Sequence, residues 1–151
     1  PSNVLSSKGH EGYCLLTSSF FSAYMTNTEH RLLQAERDKT EDNTIILHDF
    51  FYKNYDLKIK YDPSDPLKPF VEFDDQIIGS TAEAFGTIYG NGKLMCTQPV
   101  AYDSYYNVCQ KFVFLYSTIY VVGKGTVGTY VNILEWISDE EAEQYKKEEG
   151  L

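Results

Sequence analysis

Positive charge is scarce in this sequence. Lys and Arg number 13 against 22 Asp and Glu, a formal net charge of -9, and the basic residues are scattered rather than clustered. Such a chain cannot neutralise a phosphate backbone, which argues against nucleic acid as a partner. Long apolar runs are missing too. None approaches the roughly 18 residues of a membrane-spanning helix, and Pro1 is not followed by the basic and then apolar pattern of an export signal.

Cysteine is sparse and odd in number. Cys14, Cys96 and Cys109 cannot all pair within one chain, which excludes a small disulfide scaffold, and no CxxC spacing offers a zinc site. They read as free thiols that behave as small buried hydrophobes.

Signatures of catalysis and of cofactor binding are equally thin. The nucleophile elbow G-x-S-x-G is absent, and "IIGSTAE" offers Ser80 without the flanking pattern. "YDPSDP" carries Asp62 and Asp65 without the spacing of an EF-hand loop. Gly123, Gly125 and Gly128 spell G-x-G-x-x-G, but a dinucleotide site needs a helix to follow, and "TYVNILEWI" reads as a strand. A kinase-type glycine loop fails as well, because the 23 residues after Gly128 cannot hold the catalytic and metal loops. The glycines therefore read as a hairpin, and neither cofactor nor metal is expected.

Aromatic residues are plentiful: 13 Tyr and 9 Phe bring the aromatic share to 15%, a bias toward pleated, half-buried surfaces. The 151 residues suffice for one domain with its own core. From Asn54 to Asp62, Tyr55, Leu57, Ile59 and Tyr61 alternate with polar residues, which predicts a strand with one wet face. "EGYCLLTSSFF", "HRLLQAER" and "NTIILHDF" predict strands before it, and "DPSDPLKP" a loop after it. "FGTIYGNGKLMC" predicts two strands around Asn91-Gly92. "KFVFLYSTIYVV" is apolar on both parities, so a central strand covered on both faces, or nearly so, is expected.

Only the C-terminus looks helical. Ser138 and Glu141 have capping-box spacing, and Glu143 with Lys147 adds an i,i+4 pair, so one or two frayed turns are expected. The organisation is thus a flexible segment at 1–11, a β domain at 12–137 and a short polar helix or tail at 138–151. The fold class is all-β: an antiparallel barrel or sandwich of about 8 to 10 short strands.

"FVEFDDQIIG" interrupts a strand with two carboxylates. Unbroken alternation would send Asp75 to the apolar face of Val71 and Phe73, where a lone carboxylate is costly to ionise. A bulge or tight turn at Asp74-Asp75 that aims both side chains outward removes that cost. "AYDSYYN" is the clearest ligand-facing candidate. On a loop, Tyr102, Tyr105 and Tyr106 would present flat faces, with Asp103 and Asn107 as hydrogen-bonding neighbours, a combination suited to a glycan.

In order, "NTIILHDFF", "YDLKIKYD", "VEFDDQIIG", "FGTIYG" and "GTVGTYVNILEW" resemble the small calycin-like β-domain lipoproteins of Bacteroidetes, with Gln76 the most distinctive residue. The resemblance spans roughly Gly12 to Ile137. It implies a calycin-like or lipocalin-like barrel or sandwich, exported to the cell surface or periplasm, lipid-tethered through a preceding segment and without a cofactor. The favoured function is a non-enzymatic envelope binding or adhesion module, with a glycan or another envelope protein as partner. Two alternatives stand beside it: a lipocalin-like carrier of a small apolar ligand, and a small barrel enzyme using Asp74, Asp75 or His48.

Overall fold

The computed structural model describes residues 11–25, 28–62, 70–86, 90–107 and 111–150. The expected flexible segment before Glu11, most of the "DPSDPLKP" loop and Cys109 lie outside them. Among the described residues, ten strands and three helices follow in chain order: β1 (Gly12–Ser18), α1 (Ser19–Tyr24), β2 (His30–Arg37), β3 (Thr44–Leu47), β4 (Leu57–Asp62), β5 (Phe70–Glu72), β6 (Gln76–Ser80), α2 (Thr81–Phe85), β7 (Lys93–Thr97), β8 (Ser104–Asn107), β9 (Phe112–Val121), β10 (Gly125–Trp136) and α3 (Asp139–Glu149). All strand pairs are antiparallel.

The order β10-β1-β2-β3-β4-β5-β8-β9 closes on itself through the β9–β10 pairing, giving an eight-stranded barrel. The wall forks at one place. One edge of β9 pairs with β8 at Phe112–Phe114 and then with β7 at Thr118–Val121. Across the barrel, β4 pairs with β5 at Lys60–Asp62, and at Lys58 its backbone bonds instead to the side chain of Gln76 in β6. The two short pairs β5–β8 and β6–β7 thus fill the same gap at different heights. Where they meet, side chains complete the ladder: Phe73 N donates to Gln98 Oε1 at 3.0 Å, and Tyr116 N donates to Ser104 Oγ at 2.9 Å.

An eight-stranded barrel has an interior just wide enough for side chains to fill, and period-two alternation supplies them. Cys14, Leu16, Leu33, Ile45, Leu57, Ile59, Val113, Leu115 and Leu134 point inward and are essentially inaccessible. Burial raises both described thiols, the Cys96 thiol to about 12 and the Cys14 thiol higher still, so they are inert core residues. One mouth is closed by Phe20 and Phe21 of α1 against Phe50 and Phe51, with Phe20 and Phe51 stacked at 4.7 Å. Beneath this plug Ser18 Oγ donates to Asn132 Oδ1, and Asn132 Nδ2 donates to Leu115 O and Ser117 Oγ, so this buried polar group is satisfied.

Several expectations are corrected. The first strand ends at Ser18, whose hydroxyl accepts from Phe20 N and starts a helix; it does not run on to Phe21. Phe85, expected to begin the first strand of "FGTIYGNGKLMC", instead ends α2, and residues 87–89 of that expected strand lie outside the described residues. Ser80 caps α2 by accepting from Glu83 N, and β7 pairs with β6 instead. That S-x-x-E spacing was a readable capping signal. The C-terminal helix is no frayed turn: it runs 11 residues, with the full Ser138/Glu141 capping box and Gly150 in the left-handed conformation. It docks on the outside of β1 through fully buried Ala142, with Lys146 Nζ donating to Tyr13 Oη and lying 4.6 Å from that ring's centre. Gly123 and Gly125, at φ 77° and 120°, turn the chain between β9 and β10, as the hairpin reading required.

Candidate functional site

The strand β9 is fully covered on one face and half-covered on the other. Val113, Leu115, Ser117 and Ile119 are buried in the barrel, while Phe112, Phe114, Tyr116, Thr118 and Tyr120 form the outer row and are half-buried. Their neighbours across the ladder extend each into a rung. Phe70, Tyr105, Phe114 and Ile133 make one such rung over β5, β8, β9 and β10. Thr97, Thr118 and Thr129 make another over β7, β9 and β10. Cross-strand side chains on one face lie close enough to act as a unit.

The rings shield one another, which is how an apolar row persists at the surface. Tyr105 stacks on Phe114 with centroids 5.1 Å apart and planes 12° apart, and Tyr102 stacks on Tyr116 at 5.2 Å and 23°. Each stack leaves one ring partly open: Tyr102 is 52% exposed and Tyr105 38%. Asp103 and Asn107 flank them, Asp103 exposed and Asn107 half-buried.

Tyr106 does not belong to this face. "SYYN" is strand β8 rather than loop, so successive side chains alternate, and Tyr106 turns inward, 2% exposed and edge-on to Tyr61 at 5.1 Å. The structure therefore brings Tyr102, Asp103, Tyr105 and Asn107 to one region of the outer wall and takes Tyr106 into the core.

Asp74 and Asp75 lie between β5 and β6 where the ladder lapses, so the side chains are released from the inward alternation as a turn requires. Asp75 is more than solvated. Thr97 Oγ1 donates to its Oδ1 at 2.6 Å and Tyr120 Oη to its Oδ2 at 2.7 Å. These two bonds hold its carboxyl below the usual range, outweighing slight burial. Asp75 is thereby fixed at the end of the β9 row, beside the threonine rung in which the Thr118 and Thr129 hydroxyls share a bond of 2.8 Å. Sequence reasoning missed this rung, because its three threonines are far apart in the chain.

His48 lies in a separate group. Its Nε2 meets Glu36 Oε1 at 2.9 Å and its Nδ1 meets Asp56 Oδ2 at 3.2 Å. It borders a groove of about 1320 Å³ between α1, β2 and α3. Another groove-lining residue, Arg31, donates from Nε to Asp49 O at 2.8 Å. The structure thus does not unite His48 with Asp75. Among the described residues, no cluster of three His, Cys, Asp or Glu is placed to hold a metal ion, and no helix is long and apolar enough to cross a membrane.

Fold and site together define an antiparallel eight-stranded barrel with a filled interior and a half-open aromatic and hydroxyl face on its outer wall. Residues 3–148 match the family described as Domain of unknown function (DUF4984), and the chain belongs to that family. No curated protein and no solved structure matches the chain.

Proposed function

We propose that this chain is a non-enzymatic binding module that holds a glycan on the outer face of β8 and β9. The observation that carries this reading is the half-open ring row, with Tyr102 and Tyr105 outermost, next to the Thr97–Thr118–Thr129 rung. Flat apolar rings suit the C–H faces of a sugar, and hydroxyls suit its edges. The filled interior gives the carrier alternative no comparable support among the described residues.

The setting that fits this reading is the cell envelope, with the chain exported and tethered like the calycin-like lipoproteins of Bacteroidetes that its segment order resembles. A shallow outer face implies weak single-site affinity, nearer millimolar than nanomolar, raised when many copies act together on a surface.

The test is a glycan array followed by titration, comparing the parent with Tyr102→Ala and Tyr105→Ala after circular dichroism has shown both to be folded. Binding by the parent that falls in both variants supports the reading. Unchanged binding in the two folded variants moves the site elsewhere, and no binding by the parent to any glycan returns these rings to a packing role.

A further inference from the structure

We infer that the ligand of the outer face is an extended, uncharged glycan chain that runs along β9 and is anchored at one end by the carboxylate of Asp75. This rests on the glycan reading above and adds the chemical class, the direction and an anchoring residue outside the tyrosine cluster.

Direction comes from the row itself. Outward positions from Phe112 to Tyr120 span eight residue steps, about 26 Å at roughly 3.3 Å per residue, which is longer than a single sugar. Along that line the chemistry changes in order. Phe112 and Phe114 come first, then Tyr116 under Tyr102, then the threonine rung, then Tyr120 holding Asp75. Every unit of a linked sugar chain carries both an apolar face and hydroxyl edges, so successive units can lie first on the rings and then on the hydroxyls. A single bound sugar would use only one end of it.

The anchor comes from preorganisation. Each oxygen of Asp75 already accepts one hydroxyl, from Thr97 or from Tyr120, and a carboxylate oxygen has capacity for a second. The group is exposed, yet its position is fixed before a ligand arrives. Bonds from sugar hydroxyls to it would be charge-assisted, the stronger kind.

The class comes from charge. The cross-strand rungs centred on Phe112 through Tyr120 contain no Lys or Arg, and Glu135 stands opposite Phe112 while Asp75 closes the other end. Lys111 borders Glu135 at the Phe112 end, but from there to Asp75 an acidic sugar chain would meet no cation along the row and a fixed carboxylate at its close, in a protein already at -9.

The experiment titrates the parent with linear uncharged oligosaccharides of increasing length (glucan, mannan and xylan series) and with oligogalacturonates as the acidic counterpart. The expected result is affinity that rises with length for an uncharged series, with the acidic series weaker by at least about tenfold. Asp75→Asn should weaken binding about tenfold, the loss of one charge-assisted bond, with smaller losses in Thr97→Val and Tyr120→Phe, which remove hydroxyls while keeping strand-compatible side chains. Equal or tighter binding of oligogalacturonate would overturn the class while leaving the glycan reading intact. Folded Asp75→Asn, Thr97→Val and Tyr120→Phe proteins that bind like the parent, while Tyr105→Ala does not, would overturn the anchor alone. Affinity that does not grow with length would overturn the extended chain, and no binding to any oligosaccharide would remove this inference and the reading beneath it together.

Discussion

The side-chain amide of Gln76 pairs with Lys58 as the backbone of a neighbouring strand would. Lys58 N donates to Gln76 Oε1 at 2.8 Å, and Gln76 Nε2 donates to Lys58 O at 2.8 Å and to Asp74 O at 3.0 Å. An amide has the donor and acceptor of a peptide group, so one side chain continues the ladder where β4 passes from β5 to β6. Gln76→Ala hands Lys58 to water and should cost about 1 to 2 kcal/mol. Gln76→Glu should cost more, because its carboxylate would face two carbonyl oxygens with nothing to donate. Urea unfolding of the two variants decides it; a Glu variant as stable as the parent would show that the amide is not acting as a peptide mimic.

Tyr105 and Tyr106 are adjacent and should respond oppositely. Tyr106→Ala opens a cavity against Tyr61 and should destabilise the fold by about 3 kcal/mol or more. Tyr105→Ala loses one stacked pair at the surface and should cost about 1 kcal/mol. Comparing thermal unfolding midpoints checks this ordering, which reverses if β8 has the other register.

His48 should make stability depend on pH. Burial pushes its imidazole down, but hydrogen bonds to Glu36 and Asp56, with their charges, outweigh that and raise it. A group raised in the folded state stabilises fully below its unfolded value of about 6.5, and that contribution is lost as pH rises through the folded value. His48→Gln should therefore reduce stability at pH 5.5 and have little effect at pH 9. Parallel denaturation curves at the two pH values test the sign, and an equal loss at both would remove the charge from the account.

Gly79 is required by the ring above it. A Cβ there would lie 2.8 Å from Cδ2 of Tyr52. Burial, with Glu83 nearby, raises the Tyr52 phenol to about 12 against the opposing effect of Arg31. Gly79→Ala should displace the ring at a cost of about 1 to 3 kcal/mol and bring the phenol back toward about 10. In a Tyr52→Ala background the same substitution should be nearly neutral. A full cost there would place the strain elsewhere, and ultraviolet titration of the tyrosines follows the displaced phenol independently.

Much of the wall could be read in advance. Leu57, Ile59 and Tyr61 alternate with Lys58 and Lys60 in the sequence and are buried and exposed in that order in β4. The Asp74-Asp75 turn and the C-terminal capping box were legible for the same reason, since each is local chemistry within a few residues. Helix α1 was hidden because Phe20 and Phe21 suit a strand as well as a helix, and the choice was made by the barrel mouth they close against Phe50 and Phe51, whereas α2 carried a local capping signal at Ser80 and Glu83.

Sequence alone determined the class of this protein: period-two alternation, turn residues and the lack of a crossover helix leave an antiparallel β domain as the form that buries these side chains. It also marked Gln76, Asp75 and the tyrosine cluster as unusual. What only the tertiary structure decided is which way things face. β9 is apolar on both parities, so nothing within it says which row enters the core; barrel curvature and the registers of β8 and β10 put Val113, Leu115 and Ile119 inside and left Phe112, Phe114 and Tyr116 outside. The same closure sent Tyr106 inward beside outward Tyr105, and joined Thr97, Thr118 and Thr129 into one rung. Side-chain direction along a strand has a period of two residues, so a shift of one residue in register would exchange the two faces and, with them, the candidate site.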